Sequence, residues 1–217
     1  MRVAVLCCSI LTLLVSCSSA PPPAPAKKDA EAKKPPAAPP GKYRVTFETS
    51  KGDFVVEVQR EWAPLAADRF YTLWRDGFFD EARFFRVVRK FVAQFGVNKD
   101  PDVQALWNMK APLDDDKRVL ENKRGTLSFA KLGPKSRRTQ VFINLSDNKA
   151  LDAEGFAPFA KIVEGLPVID ELYAKYGETS NRGGGGPDPR LIETQGNAYL
   201  IRLFGSLDYI KRARIEP

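Results

Sequence analysis

Alternation of apolar and polar residues marks the start of the folded part of the chain. YRVTFET (43–49) alternates, the turn residues SKGD (50–53) follow, and FVVEV (54–58) resumes the extended pattern. Two such runs around a short turn predict a β-hairpin. Further extended segments are predicted near Arg83 and over 125–130, 140–145, 156–163 and 197–204.

Two segments instead have the spacing of amphipathic helices. Pro64 is typical of a first helical turn and Gly77 of a helix end. The apolar residues between them share one side: Leu65, Phe70, Leu73 and Trp74. LPVIDELYAKYG (166–177) likewise turns four apolar residues inward: Val168, Ile169, Leu172 and Tyr176. Many short strands with two helices favour a mainly β fold, built as a closed antiparallel barrel.

The first 17 residues predict targeting rather than folding. After Met1-Arg2, the apolar stretch VAVLCCSILTLLV is too short for a comfortable membrane span. It ends in Leu-Val-Ser-Cys (14–17), which resembles the bacterial lipobox. We therefore expect residues 1–16 to be a lipoprotein signal peptide and Cys17 to carry lipid. The alternative is an ordinary secretory signal that is cut near Ala20.

The segment that follows Cys17 predicts an extended tether. Residues 18–41 are rich in Pro, Ala and Lys and contain no aromatic or β-branched residue. Such a composition buries too little apolar surface to offset its ordering entropy, and its prolines keep it semi-rigid. We expect residues 17–41 to hold a domain of residues 42–217 at a membrane of the cell envelope. Ser18 after the lipidated cysteine favours the outer membrane, facing the periplasm, in a cell that has one.

The charge of the domain is only mildly positive. The chain has 34 basic and 27 acidic residues, and five basic and two acidic ones precede Lys42. That leaves 29 and 25, a net charge of +4, which is too small an excess to predict nucleic acid as a partner. KSRR (135–138) and KRAR (211–214) are therefore interpreted as solvated faces.

The composition also excludes several kinds of catalysis. The chain contains no histidine, which removes Ser-His-Asp and Cys-His mechanisms and argues against a transition-metal site. The acidic run 114–116 lacks the spacing of a calcium loop, so we expect a solvated loop there and no metal. The GGGG run (183–186) has no following lysine, and it predicts a flexible loop rather than a phosphate cradle.

Several blocks of sequence together resemble the cyclophilin family of peptidyl-prolyl isomerases. In order they are SKGDFVVEV, the helix after Ala63-Pro64, DEARFFRVVRKFVAQFG, GTLSFAKLGPKSRRTQVFINL and LDAEGFAPFAKIVEGLPVIDEL. They cover most of residues 43 to 177, and the tail from YGETSN onward looks like the ending of a bacterial subgroup. The resemblance implies a closed barrel of eight antiparallel strands capped by two α-helices. We expect a monomer.

The resemblance also implies the residues of an active site. Its Phe-x-Arg-Val-Val and Phe-x-x-Gln patterns place the catalytic residues at Arg86 and Gln94. It places the substrate-binding residues at Phe91, Val92, Lys131, Gln140, Phe142, Leu151 and Phe156.

The physics of prolyl isomerisation suits these residue types. Amide resonance opposes rotation of the Xaa-Pro bond by ~18–20 kcal/mol. A twisted amide has lost that resonance, so its nitrogen accepts a hydrogen bond, and a guanidinium aimed at it stabilises the twisted state more than either planar one. Arginine stays protonated and forked, which lysine does not reproduce. The apolar residues would hold the proline ring and Gln94 a neighbouring carbonyl, so no cofactor is expected.

The sequence departs from the family pattern at several positions. Phe85 replaces a common histidine, Phe95 a glycine, and Val92 a frequent methionine. Lys131 replaces a rim asparagine, Ala150 a rim tryptophan, and Phe156 stands near the position of a pocket histidine. The arginine is retained. The departures bear on rate, substrate preference and the binding of cyclosporin-type inhibitors.

The sequence therefore predicts a membrane-anchored prolyl isomerase that acts on Xaa-Pro segments of unfolded or exported proteins. The departures motivate an alternative, a binding module or chaperone that grips proline segments with little turnover. A second alternative is a structural envelope lipoprotein whose barrel is only a scaffold.

Overall fold

The hairpin predicted from the alternating run forms part of an eight-stranded antiparallel sheet. The computed structural model describes residues 39–215. Its strands are β1 (Lys42–Thr49), β2 (Gly52–Gln59), β3 (Arg86–Val88), β4 (Val92–Phe95), β5 (Thr126–Phe129), β6 (Val141–Asn144), β7 (Pro158–Glu164) and β8 (Ile210–Ile215). Its α-helices are α1 (Pro64–Arg75), α2 (Pro101–Asn108), α3 (Lys149–Ala153) and α4 (Pro189–Leu203). Short 3-10 helices cover Leu166–Asp170 and Ser180–Arg182.

The sheet curls into a barrel. Its strand order is β3-β4-β6-β5-β7-β2-β1-β8, and all neighbours are antiparallel. The segments that lead into the two end strands join each other. The backbone N–H of Phe84 donates to the Asp208 carbonyl, and that of Ile210 to the Ala82 carbonyl, both at 2.9 Å. The predicted eight-stranded antiparallel barrel is confirmed as a curled sheet, whose two ends are joined by these contacts rather than by a ladder between β3 and β8.

Phenylalanine side chains fill the barrel. The centroid of the Phe47 ring lies 6.2, 6.3 and 5.9 Å from those of Phe70, Phe79 and Phe95, and all four side chains are fully buried. Burying one such side chain contributes about 1.5–3 kcal/mol to folding. The closely packed interior supplies the rigid frame on which the outer faces of β3, β4 and β6 lie.

The side chains of Asp116 and Arg137 are buried, although the sequence predicted solvated segments at both places. The Asp116 carboxylate accepts hydrogen bonds from the backbone N–H groups of Leu65 and Ala66, both at 3.0 Å, at the start of α1. Arg137 Nη1 donates to the same carboxylate at 2.9 Å. A carboxylate suits a helix N-terminus because of its free N–H groups and its dipole. Composition alone does not reveal such a partner, since these residues are far apart in the chain.

Leu65 is another correction, since it was predicted to face the core. It is 41% exposed, whereas Phe70 and Leu73 on the same helix are buried. The buried side of α1 consists instead of Ala66, Ala67, Phe70 and Leu73. Small alanines let the helix lie close to the barrel.

The C-terminal third differs most from the prediction. The segment 197–204, predicted as extended, is largely the second half of α4. The helix predicted over 166–177 is a 3-10 helix that ends at Asp170. KRAR (211–214) is solvated as predicted, but it lies in β8, where Arg212 and Arg214 pair with Glu48 of β1. The two capping helices of the prediction become four α-helices within residues 39–215.

The predicted targeting elements lie outside the described residues. These are the signal peptide (1–16), Cys17 and all of the tether up to Ala38. Within residues 39–215, no helix has the length and apolar character needed to cross a bilayer.

Candidate active site

Strand register brings Arg86, Gln94 and Phe142 into one row. Arg86 in β3 lies opposite Gln94 in β4, and Gln94 lies opposite Phe142 in β6. Successive side chains of a strand point to opposite faces. Val87 and Ala93 belong to the main core, so the three row residues point to the other face. A charged residue in an apolar run is therefore explained, because the run has one face in the core and one in the site.

The row borders an apolar cluster that is separate from the main core. The cluster consists of the buried Val92, Phe142 and Leu151 and the partly exposed Phe91, Ala130 and Phe156. The rings of Phe142 and Phe156 meet edge to face with centroids 5.5 Å apart, an arrangement that aromatic pairs favour. Five of the predicted substrate-binding residues thus form one apolar surface.

Buried asparagines hold the loops that carry this cluster. Asn148 Nδ2 donates to the Phe91 carbonyl at 2.9 Å and to Asn144 Oδ1 at 2.7 Å. Asn122 Nδ2 donates to the Phe156 carbonyl at 2.9 Å, and Asn122 Oδ1 accepts from Asn144 Nδ2 at 3.2 Å. Connected polar networks of this kind rigidify their surroundings. The backbone at Phe91 and Phe156 is therefore fixed independently of the sheet ladder.

The guanidinium of Arg86 lies beside the cluster and is held by three side chains. The Arg86 side chain is 9% exposed, and its Cζ lies 5.4 Å from the centroid of the Phe91 ring. Its Nε and Nη2 donate to the two carboxylate oxygens of Glu178 at 2.6 and 2.7 Å. Its Nη1 donates to Gln94 Oε1 at 3.0 Å. Bidentate, charge-assisted contacts fix both the position and the plane of a guanidinium.

A chain of amides continues from Arg86, and its ends set its direction. Gln94 Nε2 donates to Gln140 Oε1 at 2.8 Å, and Gln140 Nε2 donates to Glu193 Oε1 at 3.2 Å. An arginine only donates and a carboxylate only accepts. Each amide must therefore turn its oxygen toward Arg86 and its nitrogen toward Glu193. The predicted residues Gln94 and Gln140 have a defined orientation for this reason.

Lys131 closes one side of the apolar cluster. Its Nζ lies 5.2 Å from the centroid of the Phe156 ring, donates to the Gly155 carbonyl at 3.3 Å and lies 3.7 Å from Asp115 Oδ1. Ala150, exposed on α3, offers no aromatic surface there. The rim thus carries a cation, and position 150 adds no ring to it.

Glu178 is the site residue whose protonation is most clearly perturbed. Burial alone raises the pKa of its carboxyl, but hydrogen bonds from Arg86 and Thr179 outweigh burial, and the pKa lies below its ordinary value of 4.5. The Thr179 backbone N–H donates to Glu178 Oε1 at 2.8 Å, and the Thr179 hydroxyl to the same oxygen at 3.1 Å. The carboxylate is therefore charged at neutral pH and faces Arg86 as an anion.

The glycine run 183–186 is a hydrogen-bonded loop, where the sequence predicted a flexible one. The Gly186 N–H donates to the Glu178 carbonyl at 2.8 Å, and the Gly184 N–H to the Thr179 carbonyl at 3.1 Å. The run therefore folds back on the residue that binds Arg86.

Glu178 and Glu193 carry no sequence signal that marks them as site residues. Glu178 follows a predicted helix end, and Glu193 lies in a segment with no predicted element. Asp188-Pro189 is a helix-start signal, and Asp188 Oδ1 accepts from the Arg190 N–H at 2.8 Å. Reading that signal would have placed Glu193 on a helix, but not beside Gln140.

The site combines a fixed cation with an apolar surface. The two carboxylates joined to the Arg86–Gln94–Gln140 chain are both engaged, since Glu178 binds Arg86 and Glu193 accepts from Gln140 and from Asn108 Nδ2. Such a site can hold an apolar ring and direct N–H donors at a polar group beside it. This chemistry is non-covalent stabilisation rather than bond cleavage.

Comparison with known proteins relates the chain to one enzyme family. The model of the family described as cyclophilin type peptidyl-prolyl cis-trans isomerase/CLD matches residues 44–191. The chain is 32% identical over 136 residues to peptidyl-prolyl cis-trans isomerase B of Escherichia coli K12, covering 59% of this chain and 82% of that protein. It is 30% identical over 150 residues to peptidyl-prolyl cis-trans isomerase CYP18-2 of Arabidopsis thaliana, covering 67% and 87%.

A solved structure shares the fold. It is a cyclophilin type peptidyl-prolyl cis-trans isomerase of Cryptosporidium parvum, with a TM-score of 0.57 and 21% sequence identity, covering 81% of this chain and 98% of that one. A second structure of that protein, obtained in the presence of the dipeptide Ala-Pro, matches with the same TM-score. At this identity the similarity concerns the fold alone.

Proposed function

The chain belongs to the cyclophilin-type peptidyl-prolyl cis-trans isomerase family, and we propose that it accelerates Xaa-Pro rotation in exported proteins by means of Arg86. Members of the family bind proline-containing peptides, and this chain is an enzyme of that type. The observation that carries the proposal is the position of Arg86, whose Cζ lies 5.4 Å from the Phe91 ring at the border of the apolar cluster.

The apolar cluster would bind the proline ring. Phe91, Phe142 and Leu151 present ring and methyl surface on one face of the site, and proline offers a rigid apolar ring of matching character. Burial of that ring stabilises every rotation state of the Xaa-Pro bond about equally. It therefore supplies affinity and orientation but not rate.

Arg86 would supply the difference between the states. In the planar amide the nitrogen lone pair is delocalised, whereas in the twisted amide the nitrogen accepts a hydrogen bond. A donor aimed at that nitrogen strengthens only at the barrier, and one such donor typically contributes ~10²–10³ in rate. Gln94 would position Arg86 through the 3.0 Å contact and hold a neighbouring substrate carbonyl with its second amide N–H.

We also propose where in the cell the enzyme acts. The Leu-Val-Ser-Cys motif at 14–17 and the Pro-rich residues that follow it support a lipid anchor at Cys17 and a tether. The enzyme would then act as a monomer at the envelope, on the periplasmic side of the outer membrane where that membrane exists. Exported proteins reach this compartment unfolded, and uncatalysed prolyl isomerisation takes tens to hundreds of seconds.

Arg86→Lys tests the role of the forked guanidinium. The variant keeps the charge but loses the two-sided geometry, so we expect a rate loss of about tenfold or more in a protease-free prolyl isomerisation assay. Arg89→Lys is the matched control, because Arg89 is exposed and, within residues 39–215, only its Nη1 has a hydrogen-bond partner, the Asp170 carbonyl at 3.5 Å. Equal rates for the two variants would remove Arg86 from the mechanism. A wild-type protein that binds the peptide without accelerating rotation would favour the binding-module alternative.

A further inference from the structure

Glu178 contacts the guanidinium that the proposed function assigns to catalysis. We propose that Glu178 is a positioning residue, which fixes the plane of Arg86 so that its remaining N–H donors point at the bound Xaa-Pro bond. Both oxygens of Glu178 take part, at 2.6 and 2.7 Å from Nε and Nη2. The inference rests on the proposed role of Arg86 and adds a residue to it.

Arg86 retains donors for a substrate although its side chain is already held. A guanidinium has five N–H groups. Within residues 39–215, Glu178 and Gln94 accept from three of them. One N–H therefore remains on each terminal nitrogen, and the Phe91 ring covers one side of the same group. The fixed contacts hold the plane of the guanidinium, and with it these two N–H groups, in place.

The pair also keeps Arg86 in place energetically. An isolated cation that is only 9% exposed would be drawn toward water, and this movement would carry its donors away from the apolar cluster. Glu178, at 29% exposure, supplies the opposite charge at the inner edge of the guanidinium. Because bidentate pairing is geometrically specific, it holds one orientation out of the many that a long side chain can adopt.

The chemistry of the reaction favours a role for Glu178 in positioning Arg86 over one in neutralising its charge. A carboxylate so close to Arg86 reduces the net charge of the site. The twisted amide carries no net charge, however, so its stabilisation depends on an aimed N–H rather than on a free cation. Displacement of a reacting group by about 1 Å can cost ~10²-fold in rate. Fixing the donor therefore raises the isomerisation rate by more than the partial loss of charge lowers it.

The loop that carries Glu178 is built to hold it. The Thr179 N–H and hydroxyl bond to Glu178 Oε1, and the Gly186 N–H bonds to the Glu178 carbonyl. A Cβ on Gly184 would overlap the carbonyl oxygen of Glu178, whereas a Cβ on Gly185 would meet only the Tyr176 carbonyl oxygen, at an ordinary 3.8 Å. The bare backbone at Gly184 is therefore needed for the loop to close on Glu178, and the next glycine is not.

This contrast supplies a matched pair of variants in addition to direct ones. Glu178→Ala and Glu178→Gln remove one or both contacts to Arg86, and Gly184→Ala displaces Glu178 without changing its chemistry. Gly185→Ala is the loop control. Glu171→Gln is the charge control, because Glu171 is exposed and has no ion pair within residues 39–215. All are made in the full-length protein, and circular dichroism confirms that each is folded.

The measurement is exchange NMR on a Xaa-Pro peptide, which gives affinity and isomerisation rate in one sample. We expect Glu178→Ala and Gly184→Ala to lower the rate by about 10-fold to 100-fold and to change the peptide Kd by less than about twofold, since the apolar cluster is intact. The Arg86 Nε–H resonance, protected by the carboxylate in the wild type, should lose its protection in both variants. Gly185→Ala and Glu171→Gln should retain the wild-type rate and resonance.

A double variant separates this inference from the proposed function. In an Arg86→Ala background, Glu178→Ala should cost no further rate, because residues that act through one another are not additive. If Arg86→Ala alone leaves the rate unchanged, the proposed function of Arg86 fails. If Arg86→Ala is slow while Glu178→Ala is as fast as wild type or faster, Arg86 stands and the positioning role of Glu178 is overturned. An equal further loss in the double variant also overturns it.

Discussion

Phe142 has a different proposed role from Arg86, although the two lie in the same cross-strand row. Its side chain is 4% exposed, its ring meets that of Phe156 edge to face, and it lies opposite Gln94 in the sheet. Its proposed role is to contact the substrate only as apolar surface. The two residues should therefore be distinguishable by which quantity their loss changes.

Phe142→Ala should weaken peptide binding while leaving kcat nearly unchanged. The apolar floor is lost for the planar and the twisted states alike, so the peptide Kd rises and kcat/KM falls in step. Removing a buried ring also costs about 3–5 kcal/mol in the free energy of unfolding. Urea denaturation and peptide titration check both effects. A variant with full affinity would show that Phe142 belongs to the core and not to the binding surface.

Glu178 should make the stability of the domain depend on acid pH. Its folded pKa is lowered by the bonds from Arg86 and Thr179, so the folded state prefers the ionised form. Its contribution is therefore fully present above the ordinary value of 4.5 and is lost as the pH falls through the lowered pKa.

The measurement is the difference in free energy of unfolding between wild type and Glu178→Gln, taken by urea titration from neutral pH to about pH 3. We expect a constant gap above about pH 5 that shrinks as the pH falls further. Glu171→Gln serves as the control, with little gap at any pH. A gap between wild type and Glu178→Gln that widens toward acid pH is incompatible with the assigned ion pair.

The kink in helix α4 depends on one glycine. Gly196 interrupts the helix with φ 56° and ψ −144°, and the next residue, Asn197, donates its N–H to the Lys99 carbonyl at 2.9 Å. A Cβ on Gly196 would overlap that same carbonyl oxygen. The kink lets the first half of α4 carry Glu193 to Gln140, while Tyr199 and Leu200 of the second half pack with Phe85 and Val97.

Gly196→Ala should therefore destabilise the fold by at least about 1–3 kcal/mol, since both its dihedral angles and its neighbour exclude a side chain. Gly133→Ala is the control, because a Cβ there would meet nothing within 4 Å. Urea unfolding of the two variants is the measurement. Comparable stability for both would mean that α4 is not fixed against Lys99.

The strands were predictable because their signal is local. Alternation over 43–58 and the apolar runs at 125–130 and 140–145 each report which face is buried. The C-terminal third was not, because its structure depends on distant partners. The prediction of extended structure at 197–204 overlooked Asp188-Pro189 as a helix start, and β8 is a charged edge strand whose partners lie in β1.

The candidate site likewise has a part that the sequence predicted and a part that it did not. The nine residues that the family pattern assigned to the site lie together in the structure, and their roles in catalysis and binding stay predictions. They are Arg86, Phe91, Val92, Gln94, Lys131, Gln140, Phe142, Leu151 and Phe156. Glu178 and Glu193 approach from the tail, and no short motif encodes a carboxylate that meets an arginine 92 residues earlier in the chain. Side chains that meet through tertiary structure are visible only once the chain is folded.

The proposed lipid anchor at Cys17 would hold the isomerase domain at a membrane. Cys17→Ala should release the protein from the membrane fraction or leave the precursor uncleaved, because the motif at 14–17 would no longer offer a thiol for acylation. Cys8→Ala is the matched control, since Cys8 lies inside the proposed signal peptide. Fractionation with immunoblotting is the measurement. A Cys17→Ala protein that is cut and fractionates like the control would exclude the lipid anchor.

In the proposed mechanism, Arg86 stabilises the twisted Xaa-Pro bond rather than the bound peptide. Exchange NMR on a Xaa-Pro peptide with Arg86→Ala tests it most directly, because one sample reports both the affinity and the rate. We expect a rate loss of about 10²–10³ with a far smaller change in the peptide Kd. An unchanged rate, or a rate that falls only in proportion to affinity, would contradict it.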